Sequence, residues 1–134
     1  MISIILDTNV FVSGIFWTGP PYLILEAWQK QKVKLIYSID ILDEYTRVSK
    51  LLSRKYKALD IDIFIDLFKS HGELHTPVML PERISDDPDD EKFIAWAFGA
   101  NCSIIVSGDK DLLDVSGFGG IEVLKPHAFV KKYL

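Results

Sequence analysis

Cysteine is almost absent: Cys102 is the only one in 134 residues, so no disulfide and no thiolate zinc site can form within one chain. That scarcity fits a reducing compartment, and the cytoplasm is the expected location. Long apolar runs are absent too. No stretch reaches the ~18 uninterrupted apolar residues that argue for a membrane span. The N-terminus enters structure at once, without the basic segment and apolar core of a secretory leader, so neither a leader nor a membrane anchor is expected. Histidine is scarce, with three residues. His71 and His75 are four apart, but Gly72 lies between them and Thr76-Pro77 follows, so both read as loop residues rather than a helical metal pair. The chain has no internal repeat and no phosphate-cradling glycine loop of the Walker or dinucleotide type. Positive charge is also in deficit, with 15 Lys and Arg against 19 Asp and Glu and a net charge of −4. A protein that held a polyanion by charge neutralisation alone would be basic. Contact with nucleic acid therefore requires a local basic patch or bound cations.

What is present is an ordinary globular composition, 49% hydrophobic, 12% aromatic and 25% charged. A chain of this length can bury a core without staples, and we expect one domain over residues 1–134. Ile2-Ser3-Ile4-Ile5-Leu6 reads as a short buried strand of a parallel sheet. Val10 to Gly19 is apolar at first and then turn-like. Pro20 and Pro21 can open a helix to about Gln31, with Leu23, Ala27 and Trp28 on one face. Lys34 to Tyr37 is a second strand, and Ser38 is a natural N-cap for a helix over Ile39 to Tyr56. Further helices are expected over Asp60 to His71 and Asp89 to Ala100, the latter with Phe93, Ile94, Ala97 and Phe98 inward. Thr76 to Leu80 reads as an edge strand, Ser103 to Val106 and Ile121 to Leu124 as buried ones. Gly117 to Gly120 reads as a flexible loop. Pro126 opens a last helix carrying Phe129, Val130 and Leu134. This alternation predicts a three-layer α/β/α fold with a central, mainly parallel sheet.

The acids stand in a regular relation to that frame. Asp7 leaves the first strand at its carboxyl end, the edge where open α/β sheets bind ligands. Its bland role would be a turn cap with Asn9. Asp109 leaves the 103–106 strand in the same way, though Asp109 or Asp111 could simply cap the turn at Leu112-Leu113. Glu44 lies three after Ile41 and four before Val48, on the inward side of a helix striped by Ile41, Tyr45, Val48 and Leu52. Such a glutamate must be paired, metal-bound or at a cleft rim. Most acids of Ser85-Asp86-Asp87-Pro88-Asp89-Asp90-Glu91 suit a first helical turn, but Asp90 shares the inward register of Phe93 and Ala97. Four converging carboxylates raise one another's pKa. A hard divalent cation resolves that conflict, and all-oxygen ligation suits Mg²⁺ or Mn²⁺. Such a site fits phosphodiester hydrolysis, and the cations would let an acidic cleft accept a phosphate backbone. Lys50, Arg54, Lys55 and Lys57 form a basic run, either a solvated helix end or a set of RNA phosphate contacts.

Four motifs in order carry a resemblance: Ile5-Leu6-Asp7-Thr8-Asn9-Val10, Ile41-Leu42-Asp43-Glu44-Tyr45, Asp87-Pro88-Asp89-Asp90-Glu91-Lys92-Phe93 and Ser107-Gly108-Asp109-Lys110-Asp111-Leu112. Together they resemble the PIN-domain family, in particular the PIN-type toxins of prokaryotic toxin–antitoxin pairs. The resemblance implies a Mg²⁺/Mn²⁺-dependent endoribonuclease with Asp7, Glu44, Asp90 and Asp109 as its metal-holding catalytic acids. It also implies a homodimer silenced by a partner antitoxin. Asn9, Ser107 and Asp111 match supporting positions, with Ser107 where Thr is more common. Phe16 and Trp17 are candidates for a dimer or antitoxin interface, or for ordinary core. Two other classes compete with this reading. An aspartyl-phosphate phosphatase also begins with an apolar strand ending in Asp, but that chemistry wants a second carboxylate where Asn9 stands. A non-catalytic RNA- or protein-binding module would tolerate loss of the Asp7 charge.

Overall fold

The computed structural model describes residues 1–54, 66, 70, 72–74 and 88–134, with residues 88–91 described by their backbone. In chain order the elements are β1 (Ile2–Leu6), α1 (Thr8–Phe16), α2 (Pro20–Gln29), β2 (Val33–Tyr37), α3 (Ile39–Ser53), β3 (Glu73–Leu74), α4 (Pro88–Gly99), β4 (Ile104–Val106), α5 (Lys110–Asp114), a 3₁₀ turn at Phe118–Gly120, β5 (Glu122–Leu124) and α6 (Pro126–Tyr133). The five strands form one sheet in the order β3-β2-β1-β4-β5. Each pairing is parallel, with Ile4 opposite Leu35 and Leu6 opposite Val106. Among the described residues the sheet is thus wholly parallel, and helices cover it in the α/β/α arrangement. The expected helix over 60–71, apart from Asp66 and Ser70, and the expected edge strand over 76–80 lie outside the described residues, as do His71 and His75. Among the described residues no helix is long and apolar enough to cross a membrane.

Strand order matters for function. From β1 the chain steps outward through β2 to β3, then crosses back to place β4 on the other side of β1. The carboxyl ends of β1 and β4 therefore flank the point where the winding reverses, where open parallel sheets leave a crevice. Both strands are buried and uncharged: Ile4, Ile5, Leu6, Ile104, Ile105 and Val106 all belong to the core. Polar chemistry begins only where they end.

Four local expectations are corrected. Most of the stretch from Val10 to Gly19, read as apolar then turn-like, belongs to the helix α1 (Thr8–Phe16). Val10, Val12 and Gly14 are weak helix formers, yet Val10, Phe11, Val12 and Ile15 are all buried. A helix covered on nearly every side shows no amphipathic stripe, so tertiary burial rather than propensity forms it. In α2 the buried residues are Ile24, Leu25, Ala27 and Trp28, while Leu23 is 43% exposed. In α4 Trp96 is fully buried and Phe98 is 37% exposed. Phe98 instead meets Phe118 edge-on at 5.8 Å between centroids. Its ring lies where a Cβ on Gly119 would stand, so residues 117–120, expected as a loop, form a packed 3₁₀ turn. Leu134, at the end of α6, is exposed.

α1 packs against both α2 and α3, and Gly14 sets the first approach. A Cβ there would lie 2.6 Å from Leu25 Cδ1 and 2.8 Å from the Pro21 carbonyl oxygen. Leu25 can turn aside, but the backbone oxygen cannot. Gly14→Ala is therefore expected to destabilise by about 1–3 kcal/mol through overpacking, outweighing the roughly 1 kcal/mol that alanine gains in helix propensity. A lowered urea midpoint with an unchanged slope is the expected readout. A raised midpoint would mean that α1 and α2 part without cost.

Candidate active site

Asp7 ends β1 and is the residue from which α1 starts. Its amide donates to the Val106 carbonyl at 2.9 Å, tying the ends of β1 and β4 together. Its own carbonyl accepts from Val10 and Phe11 at 3.0 and 3.1 Å, which opens the helix. The side chain is free of that duty and accepts no capping bond from the first turn beyond the Thr8 amide. It is nearly buried, and Ser107 Oγ donates to its Oδ2 at 2.7 Å.

Ser107 is the hub between the two strand ends. It is fully buried, and the same hydroxyl oxygen accepts the Asp109 amide at 2.9 Å. Asp109 Oδ1 accepts the Asp111 amide at 3.0 Å, so Asp109 N-caps α5. The capping role open to it in the sequence is thus observed, and it leaves Asp109 Oδ2 without a described bond. Asp7 and Asp109 are held in one loop system by a single serine.

Glu44 comes from α3, whose start is fixed by Ser38: the Ile41 amide donates to Ser38 Oγ at 3.3 Å. Ile41 and Tyr45 are buried, whereas Val48 and Leu52 pack at the core margin. Tyr45 stacks on Phe11 at 4.4 Å between centroids and donates its hydroxyl to the Leu6 carbonyl. One residue earlier on α3, Glu44 Oε2 accepts from Thr8 Oγ1. Two bonds therefore clasp residues 44–45 to residues 6–8. Glu44 Oε1 accepts from Lys92 Nζ at 2.6 Å, with the two side chains 23% and 33% exposed respectively. The glutamate is both paired and at a cleft rim.

The electrostatics follow from this packing. Burial pushes the Asp7 carboxyl above its ordinary value. The Ser107 bond and the Thr8 amide oppose that shift, while the charges of Asp109 and Glu44 add to it. Glu44 is influenced most by burial, which raises it. The Lys92 and Thr8 bonds and the charges of Lys92 and Arg47 together outweigh burial and hold its carboxyl below the usual range. Burial also keeps the Tyr45 phenol protonated, as its donor role requires.

Of the four acids singled out in the sequence, Asp109 and Glu44 are each brought within electrostatic reach of Asp7. The Asp90 backbone lies in the first turn of α4, and its side chain lies outside the described residues. Among the described residues no three acid, histidine or cysteine side chains stand close enough to share one ion. Asn9 is exposed in the first turn of α1, and Asp111 is half-buried beside the Asp109 cap. Lys50 and Arg54 are exposed at the far end of α3. Ten residues separate Arg54 from Glu44, roughly 15 Å along the axis. Lys55 and Lys57 lie outside the described residues. Three participants were not singled out beforehand: Thr8, Tyr45 and Lys92. Each sits inside a quoted motif, but its partner is more than 30 positions away.

The described donors suit a hard divalent cation in kind, though three of them are not gathered round one point: they are carboxylate oxygens, one of them on a group raised in pKa by burial and by neighbouring negative charge, with no thiolate among them. An uncharacterized protein of Methanocaldococcus jannaschii is 31% identical to this chain over 121 residues, an overlap that covers 85% of this chain and 75% of the relative. The family model described as the PIN domain matches residues 3–111, a span that runs from β1 through Asp109 and contains all four acids. The chain belongs to the PIN-domain family.

Proposed function

We propose that the protein is a Mg²⁺- or Mn²⁺-dependent endoribonuclease that hydrolyses RNA phosphodiester bonds, with Asp7, Glu44, Asp90 and Asp109 as its metal-holding acids. PIN domains are in general metal-dependent nucleases. The observation that carries the reading is the Asp7–Ser107–Asp109 system at the switch point of the sheet. There a nearly buried carboxylate is raised in pKa partly by two neighbouring acids. A fold keeps such repulsion at a strand end when a cation is to offset it.

Bound Mg²⁺ or Mn²⁺ supplies Lewis acidity and a water of lowered pKa at neutral pH. The chain's own residues do the rest. Asp7 and Asp109 present carboxylate oxygens, Ser107 fixes the rotamer of the first and the loop of the second, and Thr8 orients Glu44. Asn9 and Asp111 support the rim. Lys50 and Arg54, at the far end of α3, with Lys55 and Lys57 next in sequence, supply the basic charge for RNA phosphates. The resemblance to PIN-type toxins extends the reading to a homodimer and a cognate antitoxin, for which exposed Trp17, Tyr22 and Leu23 offer an apolar surface. Light scattering of the purified protein, alone and with the product of a neighbouring gene, tests both; a monomer that captures nothing removes that extension.

One observation favours a competing reading, a binding module that does not cut: Asp109 already has a structural task as the α5 cap. Asp109→Asn separates the two, because asparagine caps as well as aspartate but ligates a hard cation less well. The experiment is cleavage of mixed single-stranded RNA with Mg²⁺, with Mn²⁺ and with chelator. Asp109→Asn is expected to melt within a few degrees of the parent yet cut at least roughly 100-fold more slowly. Equal cutting by both proteins would reduce Asp109 to a cap. No metal-dependent cutting by the folded parent would favour the binding module.

A further inference from the structure

Lys92 is the feature of the cleft that the proposed hydrolysis leaves unexplained. Its ammonium is bonded to Glu44 Oε1 at 2.6 Å, while Thr8 holds Oε2. Each oxygen of Glu44 thus has a protein partner. Arg47, on the same helix as Glu44, is exposed and adds favourable charge. A divalent cation that used Glu44 would have to displace Lys92 from Oε1 or share that oxygen with it. Both side chains are partly exposed, so water reaches the pair and the ammonium has a path out of it.

We propose that Lys92 is an exchangeable counter-ion: it neutralises Glu44 while no divalent cation is bound, and turns to an RNA phosphate when one is. The inference rests on the metal-site reading above. Lys92 lies in the second turn of α4, and its ammonium stands 5.6 Å from the centroid of the Phe93 ring. Once released, the ammonium remains in the cleft, where a phosphate oxygen is the strongest acceptor a nucleic acid brings. Two consequences are linked. Metal frees Lys92 for phosphate, and phosphate draws Lys92 from Glu44 and opens that carboxylate to metal. By reciprocity each ligand tightens the other by the same factor. Lys92 is then a positioning residue that makes metal binding and RNA binding cooperative.

The test is Mn²⁺ binding, followed by electron paramagnetic resonance of the free ion, which needs no turnover. The proteins are the parent, Lys92→Met, Lys92→Arg and Asp7→Asn, each checked for folding by circular dichroism. Lys92→Met removes the competing charge and is expected to bind Mn²⁺ alone about fivefold more tightly or better, the low end of coupling between sites. Lys92→Arg keeps the charge and should bind close to the parent. A phosphorothioate oligouridylate should tighten Mn²⁺ binding by the parent more than by Lys92→Met. If Lys92→Met binds Mn²⁺ no more tightly than the parent while Asp7→Asn loses binding, the counter-ion role is overturned and the metal site stands. If Asp7→Asn binds Mn²⁺ as the parent does, the site reading fails and the role of Lys92 fails with it.

Discussion

Asp7→Asn is expected to slow metal-dependent RNA cleavage by roughly 10³-fold or more and, in chelator, to raise the melting temperature of the protein. The first effect removes a metal-holding charge whose electrostatic contribution is several kcal/mol, and each ~1.4 kcal/mol is a factor of ten in rate. The second follows from the raised pKa of Asp7, which burial, Asp109 and Glu44 impose against the Ser107 bond. A carboxyl whose folded pKa lies above its unfolded value costs stability when ionised, and that cost is full at pH above the folded pKa. It fades as pH falls through the raised value and is gone below the ordinary value of 3.8, where the folded and unfolded forms are both protonated. The variant should therefore exceed the parent in stability at neutral pH, and the gap should close on acidification. Mn²⁺ should reverse the order by stabilising the parent alone. Thermal melts across pH, with chelator and with Mn²⁺, decide the matter. A variant less stable than the parent in chelator at neutral pH would show that Asp7 is kept for the fold.

Phe129→Ala should cost about 3–5 kcal/mol, a large share of the ~5–15 kcal/mol that holds a domain together. The melting temperature should fall on the order of 10 °C or more. Phe129 is fully buried on α6, beyond residues 3–111 that match the family model. It shares one core with Ile121, Val123 and the β1 and β4 residues beneath the acids. α6 also packs against α2, and Lys132 with Tyr133 grips Glu122 beside it. The expected result is a single transition, shifted equally in far-ultraviolet circular dichroism and in the fluorescence of buried Trp28 and Trp96. A C-terminal segment that melted alone, leaving the tryptophan signal in place, would refute the single-domain expectation for residues 1–134.

The readable parts of the sequence were those set by local rules. Ser38 caps α3 because its neighbours leave no other start, and Asp7 and Asp109 sit beyond strands because an uncharged run must end before an acid. Glu44 was legible from helical register alone. The faces of α2 and α4 were not. Where most positions are apolar, as in Pro20 to Trp28, several stripes are equally hydrophobic, and only docking chooses among them. That ambiguity groups Leu23 with Ala27 and Trp28, turns Phe98 inward and hides Trp96, whereas docking exposes Leu23 and Phe98 and buries Trp96. α1 was hidden because burial on all sides erases its period. The partners of Glu44 and Tyr45 were illegible for another reason: their bonds to Lys92, Thr8 and Leu6 join positions 36 to 48 residues apart, and no spacing rule reaches that far.

The bond from Ser107 to Asp7 spans 100 residues, and β1 meets β4 across a similar distance. On a ribosome working from the N-terminus, β1 and β2 emerge early and can pair, but the other wall of the crevice does not yet exist. Contacts this distant in sequence bear the largest loop-closure cost and tend to form late. A growing chain therefore carries Asp7, Thr8 and Glu44 through the synthesis of more than 60 further residues before Ser107 and Asp109 can complete them. The two halves of the site meet only after β4 has been made, so its assembly is a late event in the life of each molecule.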